Sequence, residues 1–386
     1  MKGTVLIFGA GATGRGHLGA LCSEEGWDLA FVDRDRELVD ALASVRRYVV
    51  EFVGPKPRTL VVEGFRALAL ADVEQVADEF AKAALVLTAV LPENLEGIAA
   101  AVAEGIRRRL ADPHAKPVNV IACENMQHGS TALRGLVEPR LLPSERRKAA
   151  LLVGFPDAMI SRIVPRPGGD PLRLVAEDYN EWVVRKRDFV GGKPALGAME
   201  LITDFDARLE RKLFMHNGAH AVCGYLAFQR GHRYIHEAVA DGAIARVVVG
   251  ALDEIGEVVR RRHRFSRRSI EEYKRSFVER GSIAELADEV ARVVRDPARK
   301  LARDERLVGP ATLAGTYDLP RENIVLGIAA ALSWRCRDDR QAHEIAALIE
   351  REGARKAFAA LSQVSLDDPL CREVEIAFND APWRRW

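Results

Sequence analysis

The first half of the chain alternates short, continuous apolar runs with longer segments of mixed polarity. A run bounded by turn residues, with no polar face, is typical of a strand buried on both sides in a parallel sheet. Such runs alternating with helical stretches predict a doubly wound α/β domain. The predicted strands cover residues 4–8 (TVLIF), 28–33 (DLAFVD), 84–90 (ALVLTAV) and 118–125 (VNVIACEN).

The second half has a different pattern, in which long amphipathic segments follow one another with few breaks. This pattern predicts a mostly α-helical domain. Residues 293–311, which include Pro297, Gly309 and Pro310, form the clearest irregular stretch. We therefore predict two domains, 1–193 and 194–386, with an active site in the cleft between them. The predicted helical segments are 197–229, 233–262, 270–294 and 323–352.

A glycine-rich turn follows the first predicted strand directly. Gly9, Gly11 and Gly14 have the G-x-G-x-x-G spacing of a dinucleotide-binding turn. In such a turn the first glycine permits the sharp bend, the second lets the backbone approach a pyrophosphate, and the third packs the next helix closely. The positive amino-terminal end of that helix then faces the phosphates. With this motif, the first domain is predicted to be of the Rossmann type.

The second strand ends in a carboxylate at the position where a Rossmann-type domain binds ribose. Asp33 lies 19 residues after Gly14, and an acid at about this spacing accepts hydrogen bonds from the adenosine ribose. A carboxylate there repels a 2′-phosphate, so we predict NAD rather than NADP; the alternative is that Asp33 only caps the next helix. Ligands bind at the carboxyl ends of the strands, and the full predicted cofactor set is Gly9, Gly11, Ala12, Thr13, Gly14, Asp33, Thr88, Ala89, Glu124 and Asn125.

Composition excludes several other classes of protein. The 386 residues carry a formal net charge of +1, which gives no general attraction to nucleic acid or to an anionic membrane. No apolar stretch has the length of a membrane span, and the amino terminus lacks the features of a signal peptide. The five scattered cysteines fit reduced thiols rather than disulfides or zinc. We expect a cytoplasmic protein, monomeric or a small homo-oligomer, that binds a small molecule.

The segment RKLFMHNGAHAVCGYL, residues 211–226, places four polar side chains in an otherwise apolar helix. At 100° per residue, Lys212, His216, Asn217 and His220 fall on one face. Burying them is costly unless they bind something, so the stripe is either a site or a satisfied structural network. The i, i+4 histidine pair is a further candidate for zinc, but it lacks the glutamate of HExxH, and Lys212 would repel the metal.

These motifs together resemble the polyol-specific long-chain dehydrogenases, the mannitol dehydrogenase family. The family signature of Lys, four residues, Asn, two residues and His reads KLFMHNGAH here. The similarity extends over nearly the whole chain. Further matching stretches are FGAGATGRGHLG, IACENMQHGSTALRG, VGFPDAMISRIVP, ERKLF and NIVLGIAAAL.

The resemblance implies a metal-independent hydride transfer and assigns a role to each signature residue. Lys212 is the implied general base, with a pKa brought into the working range by desolvation in a closed cleft. Asn217 and Asn125 are implied to donate hydrogen bonds to the developing alkoxide. His220 is implied to contact the substrate or hold Lys212, whereas His216 matches no family position.

The implied substrate is mannitol 1-phosphate, because in length and motifs the chain is most similar to the phosphate-linked members. Two departures point the other way. Ser161 precedes Arg162 where the family often has Asp, and Gly218-Ala219 resembles the NGSH of enzymes that act on free polyols. The candidate substrate residues are Arg162, Arg295, Arg299 and Lys300, the last three in a predicted basic loop.

Three alternatives remain open. The same reaction on free mannitol, another polyol phosphate or a hexuronate is the nearest. A 6-phosphogluconate dehydrogenase-like decarboxylase also pairs a Rossmann domain with a helical one, but here the lysine lies one residue further from HNG and Asp33 disfavours NADP. The third alternative is a catalytically silent NAD sensor, against which the retention of Lys212, Asn217 and His220 argues.

Overall fold

The computed structural model describes residues 2–337 and 339–386. The chain divides into two compact units, Met1–Phe205 and Asp206–Trp386. The domain boundary predicted after residue 193 lies somewhat earlier in the chain. The residues between the two positions include strand Glu200–Ile202, which pairs in parallel with strand Glu181–Arg185 and so belongs to a sheet of the first unit.

The first unit contains all twelve strands of the described part of the chain. They are β1 Thr4–Phe8, β2 Asp28–Asp33, β3 Arg47–Val53, β4 Arg58–Glu63, β5 Arg66–Ala69, β6 Leu85–Thr88, β7 Val118–Ala122, β8 Val153–Gly154, β9 Ala158–Ser161, β10 Arg173–Glu177, β11 Glu181–Arg185 and β12 Glu200–Ile202.

Six of these strands form a parallel sheet in the order β5-β2-β1-β6-β7-β8. The chain runs outward from β1 in both directions, as a doubly wound fold requires. All four strands predicted from apolar runs are present, two of them with the predicted ends and two that end earlier, at Thr88 and Ala122. The predicted fold class, a Rossmann-type domain followed by a mostly helical one, is therefore confirmed.

The sheet is buried on both faces, which explains the continuous apolar runs. In β1, Val5 and Ile7 pack into one hydrophobic cluster, whereas Leu6 and Phe8 pack into another on the opposite face. Side chains alternate between the faces of a strand, so a central strand with apolar layers on both sides has no polar positions. Two three-stranded sheets, β10-β3-β4 and β12-β11-β9, complete the unit.

The α-helices of the first unit lie mainly in the connections between the strands. They are α1 Ala20–Glu24, α2 Arg36–Val45, α3 Val73–Lys82, α4 Leu95–Leu110, α5 Gly129–Val137 and α6 Pro143–Leu152. The helix predicted after the glycine turn differs in one respect: it is π-helical over Gly14–Gly19 before it continues as α1.

The described part of the second unit is helical. Its α-helices are α7 Phe205–Arg211, which begins at the unit boundary, α8 Ala219–Gln229, α9 Ile235–Ala240, α10 Gly242–His263, α11 Arg267–Gly281, α12 Val290–Val293, α13 Pro297–Lys300, α14 Val308–Thr316, α15 Glu322–Leu332, α16 Arg340–Glu352, α17 Ala354–Ser362 and α18 Pro369–Asp380.

The breaks between these helices are more numerous than the sequence predicted. Residues 197–204 are not helical, and Asp241 separates α9 from α10, because its side chain accepts from the backbone of Ala243 and so caps the second helix. A break also follows α15. In the described part of the chain, no helix is both long and apolar enough to cross a membrane.

Candidate functional site

The glycine turn after β1 is shaped by crowding at two of its three glycines. Gly9 has a φ of +96°, and a Cβ there would lie 2.4 Å from the carbonyl oxygen of Ala89. A Cβ on Gly14 would lie 1.8 Å from the carbonyl oxygen of Gly9. At Gly11, by contrast, an added Cβ meets nothing within 4 Å. The first and third glycines are required by the fold of the turn, whereas the second leaves open space beside its backbone.

Asp33, at the end of β2, is bound to this same turn. One carboxylate oxygen accepts from the backbone N–H of Ala10 at 2.6 Å, and the other accepts from the N–H of Asp35 at 3.0 Å. The cap of α2 is Asp35, whose side chain accepts from Leu38. The alternative that Asp33 serves as that helix cap is therefore wrong, and its carboxylate instead connects β2 to the glycine turn.

The carboxyl ends of β6 and β7 are connected through Glu124. Its buried carboxylate accepts from the Thr88 hydroxyl at 2.8 Å and from the Val90 N–H at 2.9 Å. Burial raises the pKa of Glu124, and these hydrogen bonds oppose the rise. Asn125 follows in an exposed bend and Ala89 is partly buried. Glu124 thus fixes the strand ends, while Asn125 is the exposed member of the pair.

A buried carboxylate that sequence reasoning missed holds the chain just beyond Asn125. Asp157, fully buried, accepts from the N–H and the hydroxyl of Thr131 at 2.9 and 2.8 Å. It also forms an ion pair with Arg185, with 3.0 Å between the nitrogen and the oxygen. Because Thr131 lies in the first turn of α5, this cluster fixes the segment that follows the bend.

In the second unit, the family signature lies on a wide helical turn. The helix that begins with α7 is π-helical over Lys212–Gly218 and returns to α-helical geometry at Ala219. The rotation of 100° per residue is that of an α-helix and therefore does not apply to this segment. In a π-helix, backbone hydrogen bonds join residue i to residue i+5. Lys212 and Asn217 are five positions apart, so they lie about one turn from each other along the helix.

All three basic side chains of the signature segment are removed from bulk water to a large degree. Lys212 and His216 are each 7% exposed, and the side chain of His220 is 13% exposed. The rings of His216 and His220 are 5.7 Å apart, and Phe277 packs edge-on against both. The polar stripe is thus buried and is not a solvated helix face.

His216 is held neutral by its surroundings. Burial lowers the pKa of His216 well below its usual value, and the charges of Arg280, His220 and Lys212 lower it further. Arg280, itself buried, has Nη1 3.5 Å from Nδ1 of His216. An uncharged ring nitrogen next to a guanidinium acts as an acceptor, so His216 adds no positive charge to the cluster.

His220 has an acidic neighbour that sequence reasoning missed. Its Nε2 lies 3.1 Å from Oδ2 of Asp288, which is buried. The other oxygen of Asp288 accepts from Arg292 at 2.6 Å. Burial alone would raise the pKa of Asp288, but the close contact with His220 and the charge of Arg292 lower it to about 2.

The predicted basic loop is partly helical, and its three candidates differ in environment. Arg299 and Lys300 lie on α13, which Pro297 starts. Arg295 and Arg299 are exposed, whereas Lys300 is 5% exposed. Burial lowers the pKa of Lys300 to about 7, with further lowering by the charges of Arg306 and Arg299. Of the three, only Lys300 resembles a site residue.

Arg306, which sequence reasoning missed, joins this region to the signature helix. It is 6% exposed, and its Nε bonds to Glu305 at 2.9 Å. Its backbone carbonyl oxygen lies where a side chain at Gly218 would be, 2.6 Å from an ideal Cβ. Gly218 is therefore required by close packing, immediately after Asn217.

Arg162, the remaining substrate candidate, is occupied within the first unit. Its Nε donates to the carbonyl of Tyr179 at 2.8 Å and its Nη1 to that of Gly16 at 3.3 Å. The guanidinium also lies 5.0 Å from the centre of the Phe52 ring, and burial lowers its pKa to about 10. These contacts give Arg162 a structural role, and its part in substrate binding stays a prediction.

The described residues do not form a metal-binding site. Across 2–337 and 339–386, no group of three or more His, Cys, Asp or Glu side chains is arranged to hold an ion. His232 and His236 form another i, i+4 histidine pair in the sequence, but Nε2 of His232 lies 3.1 Å from Oδ2 of Asp241.

Comparison with known families matches both halves of the chain. The model described as the mannitol dehydrogenase Rossmann domain matches residues 3–198. The model described as the mannitol dehydrogenase C-terminal domain matches residues 204–367.

Solved structures agree with this match at the level of the fold. Pseudomonas fluorescens mannitol 2-dehydrogenase, in a ternary complex with NAD and D-mannitol, has a TM-score of 0.80 and 18% identity over 99% of this chain and 93% of its own. A D-sorbitol dehydrogenase in substrate-free form has a TM-score of 0.79 and 18% identity over 97% of this chain and 92% of its own. A 2-dehydropantoate 2-reductase from Geobacter metallireducens is more distant, with a TM-score of 0.53, 14% identity, and coverage of 86% and 99%.

Proposed function

Because the chain belongs to the mannitol dehydrogenase family, we propose that it oxidises mannitol 1-phosphate to fructose 6-phosphate, reversibly and with NAD, as a mannitol-1-phosphate 5-dehydrogenase. Membership in this family makes the protein an oxidoreductase of the polyol dehydrogenase type. The phosphorylated substrate is the part that we propose. The observation that carries the chemistry is Lys212, buried on a π-helical turn with Asn217 five positions later.

NAD is the cofactor, and the first unit fits it. The open space at Gly11 leaves room for a pyrophosphate beside the backbone, and Asp33 lies at the edge of the same turn. When bound, NAD supplies the acceptor for the hydride. The carboxylate of Asp33 disfavours a 2′-phosphate, so efficiency with NADP equal to that with NAD would contradict this assignment.

Lys212 is the proposed general base. Its neutral amine would take the proton from the substrate hydroxyl while the hydride leaves the same carbon. Lys212 is 7% exposed, and removing an amine from water disfavours the ammonium ion relative to the uncharged form. Because the pKa of His216 is lowered well below its usual value, His216 does not compete with Lys212 for this proton.

Asn217 is the proposed donor to the oxygen on which negative charge develops. An amide N–H₂ donates without carrying a proton that can transfer, so it stabilises an alkoxide and leaves the acid–base chemistry to Lys212. Asn125 of the first unit is the second proposed donor. His220 is proposed to contact the substrate through its ring.

The phosphate is proposed to bind Lys300 and Arg306. Among the described residues, no hydrogen bond or ion pair engages the Nζ of Lys300, and Arg306 bonds to Glu305 through Nε, so its two terminal nitrogens remain available. Two buried cations that repel each other are a favourable place for a doubly charged anion. The packing of the Arg306 backbone on Gly218 supports a location close to Asn217.

The second candidate is the same reaction on a free polyol. It is favoured by Gly218, whose close approach to the Arg306 carbonyl leaves no room for a larger residue, and by the resemblance of NGAH to the signature of enzymes for free polyols. A hexuronate would also provide an anion for Lys300 and Arg306, through its carboxylate.

Initial rates with a panel of substrates test the proposal. We expect the highest kcat/KM with mannitol 1-phosphate and NAD and, in the reverse direction, with fructose 6-phosphate and NADH. The other members are mannitol, sorbitol 6-phosphate and the hexuronates. A higher kcat/KM for mannitol or a hexuronate would replace the substrate but keep the chemistry, and release of carbon dioxide would contradict both.

A further inference from the structure

The acidic neighbour of His220 is a buried aspartate held from both sides. The backbone carbonyl of Asp288 accepts from the N–H of Ile235 at 2.9 Å. The next residue, Glu289, forms an antiparallel bridge with Tyr234. Asp288 therefore stands on a short extended segment that is fixed by backbone hydrogen bonds before its side chain makes any contact.

Each oxygen of the Asp288 side chain lies close to one basic side chain, Arg292 at Oδ1 and His220 at Oδ2. Arg292 donates to Oδ1 through both Nε and Nη2, at 2.8 and 2.6 Å. The two donors of Arg292 thus share a single oxygen, and this contact orients the carboxylate. Oδ2 then faces His220, with 3.1 Å to Nε2. A carboxylate that is ionised accepts hydrogen bonds only, so the proton of this contact lies on Nε2 of His220.

We infer that Asp288 is a positioning residue for the reaction: it holds the His220 ring with its proton on Nε2, which leaves Nδ1 as the ring atom that accepts a hydrogen bond. Which nitrogen of an imidazole carries the proton is set by the partner of the other nitrogen. Phe277, 6.3 Å from the His220 ring centre, packs edge-on and limits its rotation. The role of Asp288 in turnover rests on the proposed function, in which His220 contacts the substrate.

The same unit contains a matched pair that serves as a control. His232 and Asp241 have the same atoms in contact, Nε2 and Oδ2, at the same distance of 3.1 Å. An arginine, Arg230, again bonds to the carboxylate at 2.8 Å. This second pair contains no residue of the signature segment 212–220, so a general effect of removing a His–Asp contact can be separated from an effect on the reaction.

The test is a double-mutant cycle of Asp288→Asn and His220→Ala, with Asp241→Asn as the control. We expect Asp288→Asn to lower kcat/KM for the polyol by about 10- to 100-fold, the range known for carboxylates that orient metal-bound histidines. The affinity for NAD stays unchanged. In the His220→Ala background the same change should cost less than about twofold, because two residues that act through one contact are not additive. Asp241→Asn should leave kcat/KM within about twofold of the wild type.

Additive losses in the cycle would overturn the inference, and so would an unchanged kcat/KM in Asp288→Asn. A merely structural role predicts loss of thermal stability with additive kinetics. Folding of the variants is checked by their melting temperatures. An effect of Asp241→Asn as large as that of Asp288→Asn would likewise overturn it.

A second measurement on the unaltered protein does not depend on turnover. ¹⁵N NMR of the histidine rings reports which nitrogen is protonated, with His220→Ala identifying the signal of His220. We expect a protonated Nε2; a bare Nε2 with the proton on Nδ1 would overturn the inference. If the wild type oxidises no member of the substrate panel, the proposed function fails, while the NMR result still decides the contact between Asp288 and His220.

Discussion

The two candidate sites of this protein each contain a π-helical turn, but they use it differently. Over Gly14–Gly19 the turn follows a glycine motif, and what it offers to a ligand is backbone. Over Lys212–Gly218 the turn carries Lys212, His216 and Asn217, and what it offers is side chains. A wide turn is thus proposed to serve ligand recognition through backbone in the first unit and acid–base chemistry in the second.

The difference lies in where the partners of each turn come from. The glycine turn is bounded by backbone, namely the carbonyls of Gly9 and Ala89, and by one carboxylate at the end of the next strand. The second turn is surrounded by side chains from distant segments, such as Phe277 and Arg280. Substitutions should therefore affect cofactor binding at the first turn and the rate of the chemical step at the second.

The largest effect is expected from the second turn. Lys212→Ala should lower kcat by several powers of ten, because general-base catalysis alone contributes about 10²- to 10⁴-fold and the charge of the site changes as well. Asn217→Ala should lower it by about 10²- to 10³-fold. Steady-state rates and NAD titration check this, with NAD affinity expected to be near that of the wild type. A structural role predicts the reverse, variants that melt earlier yet remain active.

At the glycine turn we expect substitutions to change stability or NAD binding instead of the rate of the chemical step. Two of its glycines should differ in which of these properties they change. Gly14→Ala should lower the melting temperature, since its Cβ would overlap the carbonyl of Gly9. Gly11→Ala should leave the melting temperature nearly unchanged, because the space beside it is open. It should instead weaken NAD binding, by roughly tenfold or more, since that glycine is the one whose backbone approaches the pyrophosphate.

Equal losses of stability from the two alanines would contradict the open space at Gly11, and unchanged NAD binding by Gly11→Ala would contradict a ligand position there. Calorimetric melting with and without NAD distinguishes the cases, since a ligand that binds only the native state raises the melting temperature.

Lys300 and Arg295 provide the next comparison, between a buried and an exposed cation of the same segment. Lys300→Met should lower kcat/KM for mannitol 1-phosphate by about thirtyfold or more, the usual cost of removing one partner of a buried charge pair. It should leave kcat/KM for free mannitol nearly unchanged. Arg295→Met should change neither by more than about twofold. Equal losses for both substrates would contradict phosphate binding by Lys300.

Lys300→Met should also be more stable than the wild type, and the difference in stability should depend on pH. The pKa of Lys300 is about 7 in the folded protein, below the ordinary lysine value of 10.5. Burying the charge therefore destabilises the wild type fully below pH 7, and the effect declines as the pH rises from 7 towards 10.5. The melting temperature of Lys300→Met should exceed that of the wild type most at low pH.

The smallest effect is expected at His216. His216→Leu should change kcat by less than about tenfold, because the ring is neutral and matches no signature position. Its lowered pKa makes the wild type lose stability as the pH falls below about 6.5, where the unfolded chain takes up a proton that the folded one does not, by up to about 1.4 kcal/mol per pH unit. His216→Leu should lack this loss, and His114→Leu, at an exposed position, should retain it.

Much of the first unit could be predicted because its signals are local. The four apolar runs mark strands whose side chains are buried on both faces, and the glycine spacing is a requirement of the backbone itself. The π-helical geometry after the turn could not be predicted from a pattern, and neither could the use of Asp33 to bind Ala10. Both depend on how closely two segments approach each other.

In the second unit, the sequence predicted which turn carries the polar residues but not what surrounds them. Asp288, Arg280 and Arg306 are ordinary charged residues of polar segments, and only the packing of the helices brings them to the signature turn. The breaks at Asp241 and after α15 were missed because amphipathic periodicity continues across a short cap.

The central claim is that Lys212 removes the proton from the substrate hydroxyl. Chemical rescue tests it most directly: the turnover of folded, NAD-binding Lys212→Ala is measured with small primary amines of increasing size added to the assay. We predict that the rate rises in proportion to the concentration of the free amine and that amines too large for the cavity have no effect. Near-normal turnover without any amine, or no rescue by any amine, would contradict the account.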